Sequence, residues 1–115
     1  MEQKKKLLAA EDILTLSDTK YQELDIPEWG GTVRLRSLTG LEAAVFLDAS
    51  TSDKKTSVAR LVALSVVNEE GEPVFTEEHV LQLQRKSLRA LLRIQDAALV
   101  LNGMTEKQAA SAKNV

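Results

Sequence analysis

Residues 25–42, DIPEWGGTVRLRSLTGLE, place the chain's only tryptophan beside a proline and two glycines, between two segments that alternate apolar and polar side chains. Upstream, YQELDI puts Leu24 and Ile26 on one face and Glu23 and Asp25 on the other. Downstream, TVRLRSL sets Val33 and Leu35 against Arg34 and Arg36. Period-two alternation on both sides of a Pro/Gly turn predicts a β-hairpin over about residues 21–38. The register must keep the faces together, because a slip of one residue carries every side chain across the sheet. Pairing Ile26 with Val33, Leu24 with Leu35, Asp25 with Arg34 and Glu23 with Arg36 lines up apolar pairs inside and opposite charges outside, each pair contributing about 0.2–1 kcal/mol. A hairpin alone is marginal in water, so its apolar side must rest on helices or on another subunit. Trp29 either folds back onto that apolar side or projects to a partner, since tryptophan is enriched at interface hot spots. The two are compatible in an oligomer, where alanine at this position would weaken self-association more than monomer stability.

The hairpin leads into Thr39-Gly40-Leu41-Glu42, a capping box in which the Thr39 hydroxyl accepts from the Glu42 amide and the Glu42 carboxylate reaches back to the Thr39 amide. It opens a helix over about 40–49, with Leu41, Ala44, Val45 and Asp48 along one stripe. STSDK at 50–54 reads as a polar loop. KTSVARLVALSVV at 55–67 is apolar nearly all round, which predicts a central helix. NEEGEP at 68–73 is a turn, and Thr76-Glu77-Glu78 starts a helix over about 77–85, stapled by Phe75 and Val80. Ser87 is placed to cap a last helix over about 88–102, with Leu88, Leu91, Leu92 and Leu99 as its main stripe and Asn102-Gly103 as its stop. Near the start, KKKLLAAEDIL at 4–14 reads as a short helix with Leu7, Ala10 and Leu14 on one side, although Ile13 to Leu16 also suits extended chain. Residues 105–115 have little to bury and read as a mobile tail. The expected fold class is α+β and mainly α-helical, an N-terminal β-hairpin packed on a small helical bundle, in one globular domain over 1–104.

Composition narrows the function. The length of 115 residues suits one domain. With one Trp, one Tyr and two Phe, the core must be built from Leu, Val, Ile and Ala, which favours helices. No apolar run approaches the roughly 20 residues that span a bilayer, and the run after Lys4-Lys5-Lys6 is too short for a secretion signal. The absence of cysteine excludes disulfides and thiolate zinc sites and fits a reducing cytoplasm. A formal charge of −2 argues against a dedicated nucleic-acid binder, whose affinity comes largely from neutralising phosphates.

No catalytic, cofactor or metal constellation emerges. His79 is the only histidine and reads as a polar first-turn residue, because a metal would need converging carboxylates. Glu69, Glu70 and Glu72 lack the spacing of a calcium loop and read as a solvated turn. The glycines match no phosphate-binding pattern, and no nucleophile stands in a triad with His79. Arg85, Lys86, Arg89 and Arg93 crowd the start of the last helix, where cations are unfavourable by a few tenths of a kcal/mol. Either Asp96, three residues from Arg93, compensates on a solvated face, or the four form a patch for an acidic partner. The residues singled out for self-association or partner binding are therefore Trp29, Leu24, Ile26, Val33 and Leu35 of the hairpin, with Arg85, Lys86, Arg89 and Arg93.

Two stretches resemble a known family. LDIPEWGGTVRLRSLTGLEAA, and LVALSVVNEEGEPVFTEEHVLQLQRKSLRALLRIQDAALVLNGMT further on, are similar to the tail assembly chaperones of long-tailed bacteriophages and prophages. The resemblance spans about residues 21–105. It implies a non-enzymatic protein of the host bacterial cytoplasm that forms homo-oligomers and takes part in virion morphogenesis. Such a protein coats the tape measure protein, helps tail tube protein polymerise around it, and is absent from the mature virion. A long apolar helical client exposes more greasy surface than a soluble chain tolerates, and an acidic multivalent coat would keep it dispersed. Many members also make a longer product by ribosomal frameshifting near the end of the gene. Ala112-Lys113-Asn114 is one peptide that a GCA-AAA-AAC slippery site would encode, and a plain polar tail is the alternative.

Two other classes stand beside this one. A head–tail or tail component of the virion would be found in purified particles. A small helix-turn-helix regulator would use the last two helices, with the basic cluster toward DNA phosphates, and would shift duplex DNA in a salt-dependent way.

Overall fold

The structure, a computed structural model, describes residues 6–104. The expected tail, with Ala112, Lys113 and Asn114, lies outside the described residues, as do the first residues of the stretch expected to form the N-terminal helix. Within the described residues, helices α1 (Ala10–Thr15), α2 (Gly40–Ser52), α3 (Ser57–Ser65), α4 (Val80–Leu83) and α5 (Leu88–Leu101) accompany strands β1 (Tyr21–Ile26), β2 (Gly31–Arg36) and β3 (Val66–Val67). The class is α+β and mainly helical, as expected, but the hairpin is part of a three-stranded antiparallel sheet ordered β1-β2-β3.

The hairpin register differs from the expected one by two residues. Leu24 lies opposite Val33, Ile26 opposite Gly31, Glu23 opposite Arg34, and Asp25 opposite Thr32. The loop decides this. Pro27 opens a single 3-10 turn through Trp29, and Gly30, at φ 66°, reverses the chain so that pairing resumes at Gly31. Glycine reaches that left-handed conformation without the Cβ penalty of other residues. A two-residue slip leaves every side chain on its expected face. Asp25 consequently accepts a hydrogen bond from Thr32 Oγ1 at 2.9 Å rather than meeting Arg34.

The apolar stretch at 55–67 is not one helix. Its first residues make a 3-10 turn at Lys54–Thr56, where Asp53 Oδ1 accepts from Lys55 N at 3.1 Å. Its last two residues leave the helix to pair with β2, Val66 against Leu35 and Val67 against Arg34. Two β-branched residues suit that exit. Leu35 thus lies in the central strand and is fully buried, as is Ile26. Between these ends α3 is central, as expected, and buries Ala59, Leu61, Val62 and Ala63.

The other helices depart from expectation in length or in face. Helix α2 runs to Ser52, through the first part of the expected loop, with the Thr51 and Ser52 hydroxyls donating back to the Leu47 and Asp48 carbonyls. Its expected inner stripe faces out, with Leu41 76% and Val45 53% exposed. The segment after Thr76 makes one 3-10 turn (Glu77–His79) before the four residues of α4, so it is shorter than the expected 77–85. Helix α5 buries Ala90, Leu91, Ile94 and Ala98, while Leu88 and Leu92 are exposed. Small residues on this face let α5 lie close against Ala59 and Ala63 of α3. Ser87 precedes α5 but its hydroxyl makes no capping bond. The Asn102-Gly103 stop holds: Gly103 N donates to Val100 O at 3.1 Å and Met104 N to Leu99 O at 2.7 Å, the paired bonds of a Schellman closure.

Candidate interaction surfaces

The hairpin's apolar side divides between core and rim. Ile26 and Leu35 are fully buried and belong to the monomer's own core, which removes them from the surface residues expected to meet partners. Leu24, Val33 and Trp29 are partly buried and pack against that core. Trp29 therefore folds back onto its own domain. Its remaining exposed part lines an open trough with Val33, Val67, Val74 and Phe75. Arg34 closes one side of the trough, with its guanidinium 4.7 Å from the centre of the Tyr21 ring and Nη1 donating to Glu69 O at 3.0 Å.

The four basic residues separate in the same way. Arg93 is held by Glu28 of the hairpin turn, Nε donating to Oε1 at 2.9 Å, and not by Asp96. That bond lowers the Glu28 carboxyl below its ordinary value and raises Arg93. Arg85, Lys86 and Arg89 are exposed and make no ion pair among the described residues. Along the chain they alternate with Leu81 (67% exposed), Leu88 (65%) and Leu92, which are also exposed. Leu81, Gln82, Gln84, Arg85 and Lys86 line an open hollow there. With only four residues, α4 gives no full first helix for a helix-turn-helix, and Arg93 is paired with Glu28.

Two apolar surfaces were not singled out from sequence. Helix α1 and its flanks leave Leu7, Leu8, Ile13, Leu14 and Leu16 exposed, and α1 buries none of its residues. Helix α2 presents Leu41, Val45 and Leu47. The signal was there in both cases, since each segment carries more large apolar residues than one inward face can hold. Isolated surface leucines need no explanation, whereas such clusters mark interaction sites.

His79 Nδ1 accepts from Thr76 N at 2.9 Å, and its ring meets Phe75 edge-on with centroids 5.8 Å apart, so the imidazole completes the cap of the 3-10 turn. Among the described residues no group of three or more His, Asp or Glu side chains could hold a metal ion, and no helix is long and apolar enough to cross a membrane.

This fold is similar to that of a solved structure described as the bacteriophage HK97 tail assembly chaperone, with a TM-score of 0.63. The two share a fold. The likeness covers 79% of this chain and 90% of the HK97 chain at 18% sequence identity. No protein-family model matches the sequence, and no curated protein matches it. The likeness thus takes in nearly the whole of the HK97 chain.

Proposed function

We propose that this chain is a tail assembly chaperone of a long-tailed phage or prophage. It acts in the host cytoplasm as a non-enzymatic homo-oligomer that coats the tape measure protein and promotes tail tube polymerisation, without entering the mature virion. The fold shared with the HK97 chaperone carries this reading. The surface supports it physically. Leu41, Val45 and Leu47 on α2 give exposed apolar area for a helical client, while the net charge of −2 keeps the outer face hydrated. A longer frameshifted form of the chain fits the same role as a second partner.

Co-expression with the tape measure protein of the same gene cluster tests the reading. The expected result is that the tape measure protein moves from the insoluble to the soluble fraction and co-purifies with several copies of this chain. Mass spectrometry of purified particles should then find tape measure and tube proteins but not this chain. A tape measure protein equally aggregated with and without the chain overturns the proposal. So does finding the chain at fixed stoichiometry in particles, which would make it a virion component.

A further inference from the structure

We infer that copies of this chain associate head to tail, with the α1 segment of one copy docking on the α4–α5 corner of the next. This gives an interface to the self-association within the proposed function, and it does not depend on the tape measure protein as client.

The donor surface is incomplete in a single chain. A six-residue helix has too few hydrogen bonds to persist in water without packing, yet α1 buries nothing in its own molecule. Leu7 is 94% exposed and Leu14 83%, with Leu8, Ile13 and Leu16 about half exposed or more. Residues 7–18, LLAAEDILTLSD, carry Glu11, Asp12 and Asp18 and no basic side chain; Asp12 pairs with Lys6 at 3.8 Å, while Glu11 and Asp18 make no ion pair among the described residues. The segment is therefore apolar and acidic together.

The acceptor surface has the matching character. Leu81, Leu88 and Leu92 are exposed around the α4–α5 corner, and Arg85, Lys86 and Arg89 between them lack ion-pair partners among the described residues. Leu88 and Leu92 stand one turn apart on α5 and form a single strip. Burying apolar area drives such contacts, and opposite charges at the rim set orientation and exclude mismatched pairings. Helix α2 itself carries Glu42 and Asp48 and no basic residue, which is why the corner is the better match for an acidic arm. Because donor and acceptor are different patches, the contact is heterologous, and repetition closes a ring or extends a filament.

The test uses the full chain and light scattering coupled to size exclusion. Wild type is expected as higher oligomers that dissociate as it is diluted. Leu14→Asp removes the arm and Leu88→Asp the corner. Both positions are solvent-facing, so circular dichroism should show both variants folded, and each alone should weaken association by about tenfold or more. Each variant keeps one intact surface, so mixing the two should restore a one-to-one complex that grows no further. Glu11→Lys and Arg89→Glu should each weaken association, and the double variant should recover it. A wild-type chain that stays monomeric at high concentration overturns the inference, as does unchanged oligomerisation of Leu14→Asp. A mixture of the two variants that fails to pair also overturns it.

Discussion

Arg36, the last residue of β2, holds both carboxylate oxygens of Glu42 in the first turn of α2. Nη1 donates to Oε1 at 2.7 Å and Nη2 to Oε2. The same Oε1 accepts from Thr39 N at 2.9 Å, while the Thr39 hydroxyl accepts from Glu42 N at 3.1 Å. One carboxylate therefore caps the helix and fixes the angle at which it leaves the sheet. Both side chains are largely shielded from solvent, which makes the pair stronger than a surface ion pair.

This pair predicts an acid-sensitive stability. The Arg36 hydrogen bonds, opposed by burial and helped by the Thr39 amide, lower the Glu42 carboxyl from 4.5 to about 2. A lowered folded-state value means that the carboxylate form is favoured by folding. Its contribution is complete above the unfolded value and declines as the pH falls from there towards about 2. Glu42→Gln should cost about 1–3 kcal/mol at neutral pH and flatten that part of the stability curve. Urea titrations of both proteins between neutral and acid pH measure the difference.

Asn102 makes a second tie between distant elements. Its Oδ1 accepts from Leu38 N at 2.7 Å, and its Nδ2 donates to Ala98 O at 2.8 Å, joining the end of α5 to the link between β2 and α2. Asn102→Ala should cost about 1–2 kcal/mol, mostly by stranding the part-buried Leu38 amide. Asn102→Asp keeps the acceptor and should cost less. Chemical denaturation of the two variants ranks them.

Two glycines in turns should respond differently to the same change. Gly30 and Gly71 both have positive φ, 66° and 82°. A Cβ on Gly30 would meet nothing within 4 Å, but on Gly71 it would lie 3.1 Å from the Tyr21 hydroxyl. Gly30→Ala should therefore cost only the backbone term of about 1–2 kcal/mol. Gly71→Ala should cost more, because Tyr21 must also move from beneath Arg34. Thermal melts of the pair decide the order.

What could be read from the sequence follows from the range over which each signal acts. The Thr39–Glu42 capping box and the Asn102-Gly103 stop are local, and both appear in the structure with their hydrogen bonds. The hairpin's faces were legible because alternation fixes them, whereas its register depended on how tightly Pro27 to Gly30 turn. The exit of Val66 and Val67 into the sheet was hidden, since two valines at the end of an apolar run look the same in either state. The buried face of α5 was misread because leucines outweigh alanines on any hydropathy count, while close packing selected Ala90 and Ala98. Of the candidate interaction residues, Ile26 and Leu35 went to the core and Arg93 to Glu28, all through contacts made far along the chain.

The face of α5 gives the sharpest check on that packing. Leu91 is 5% exposed and Leu88 65%, although the sequence places both on one leucine stripe. Leu91→Ala removes buried methyl groups from the contact with the sheet and α3, and should cost about 2–4 kcal/mol. Leu88→Ala touches no core and should change the stability of the dilute monomer by less than about 0.5 kcal/mol. Ala98 is fully buried, so Ala98→Leu should destabilise by about 1–3 kcal/mol through overpacking. If the α4–α5 corner binds a second copy, wild-type melting temperature will rise with concentration while that of Leu88→Ala will not, because only assembled protein gains stability by mass action. Melts at two concentrations thus separate a core position from a docking position on the same helix.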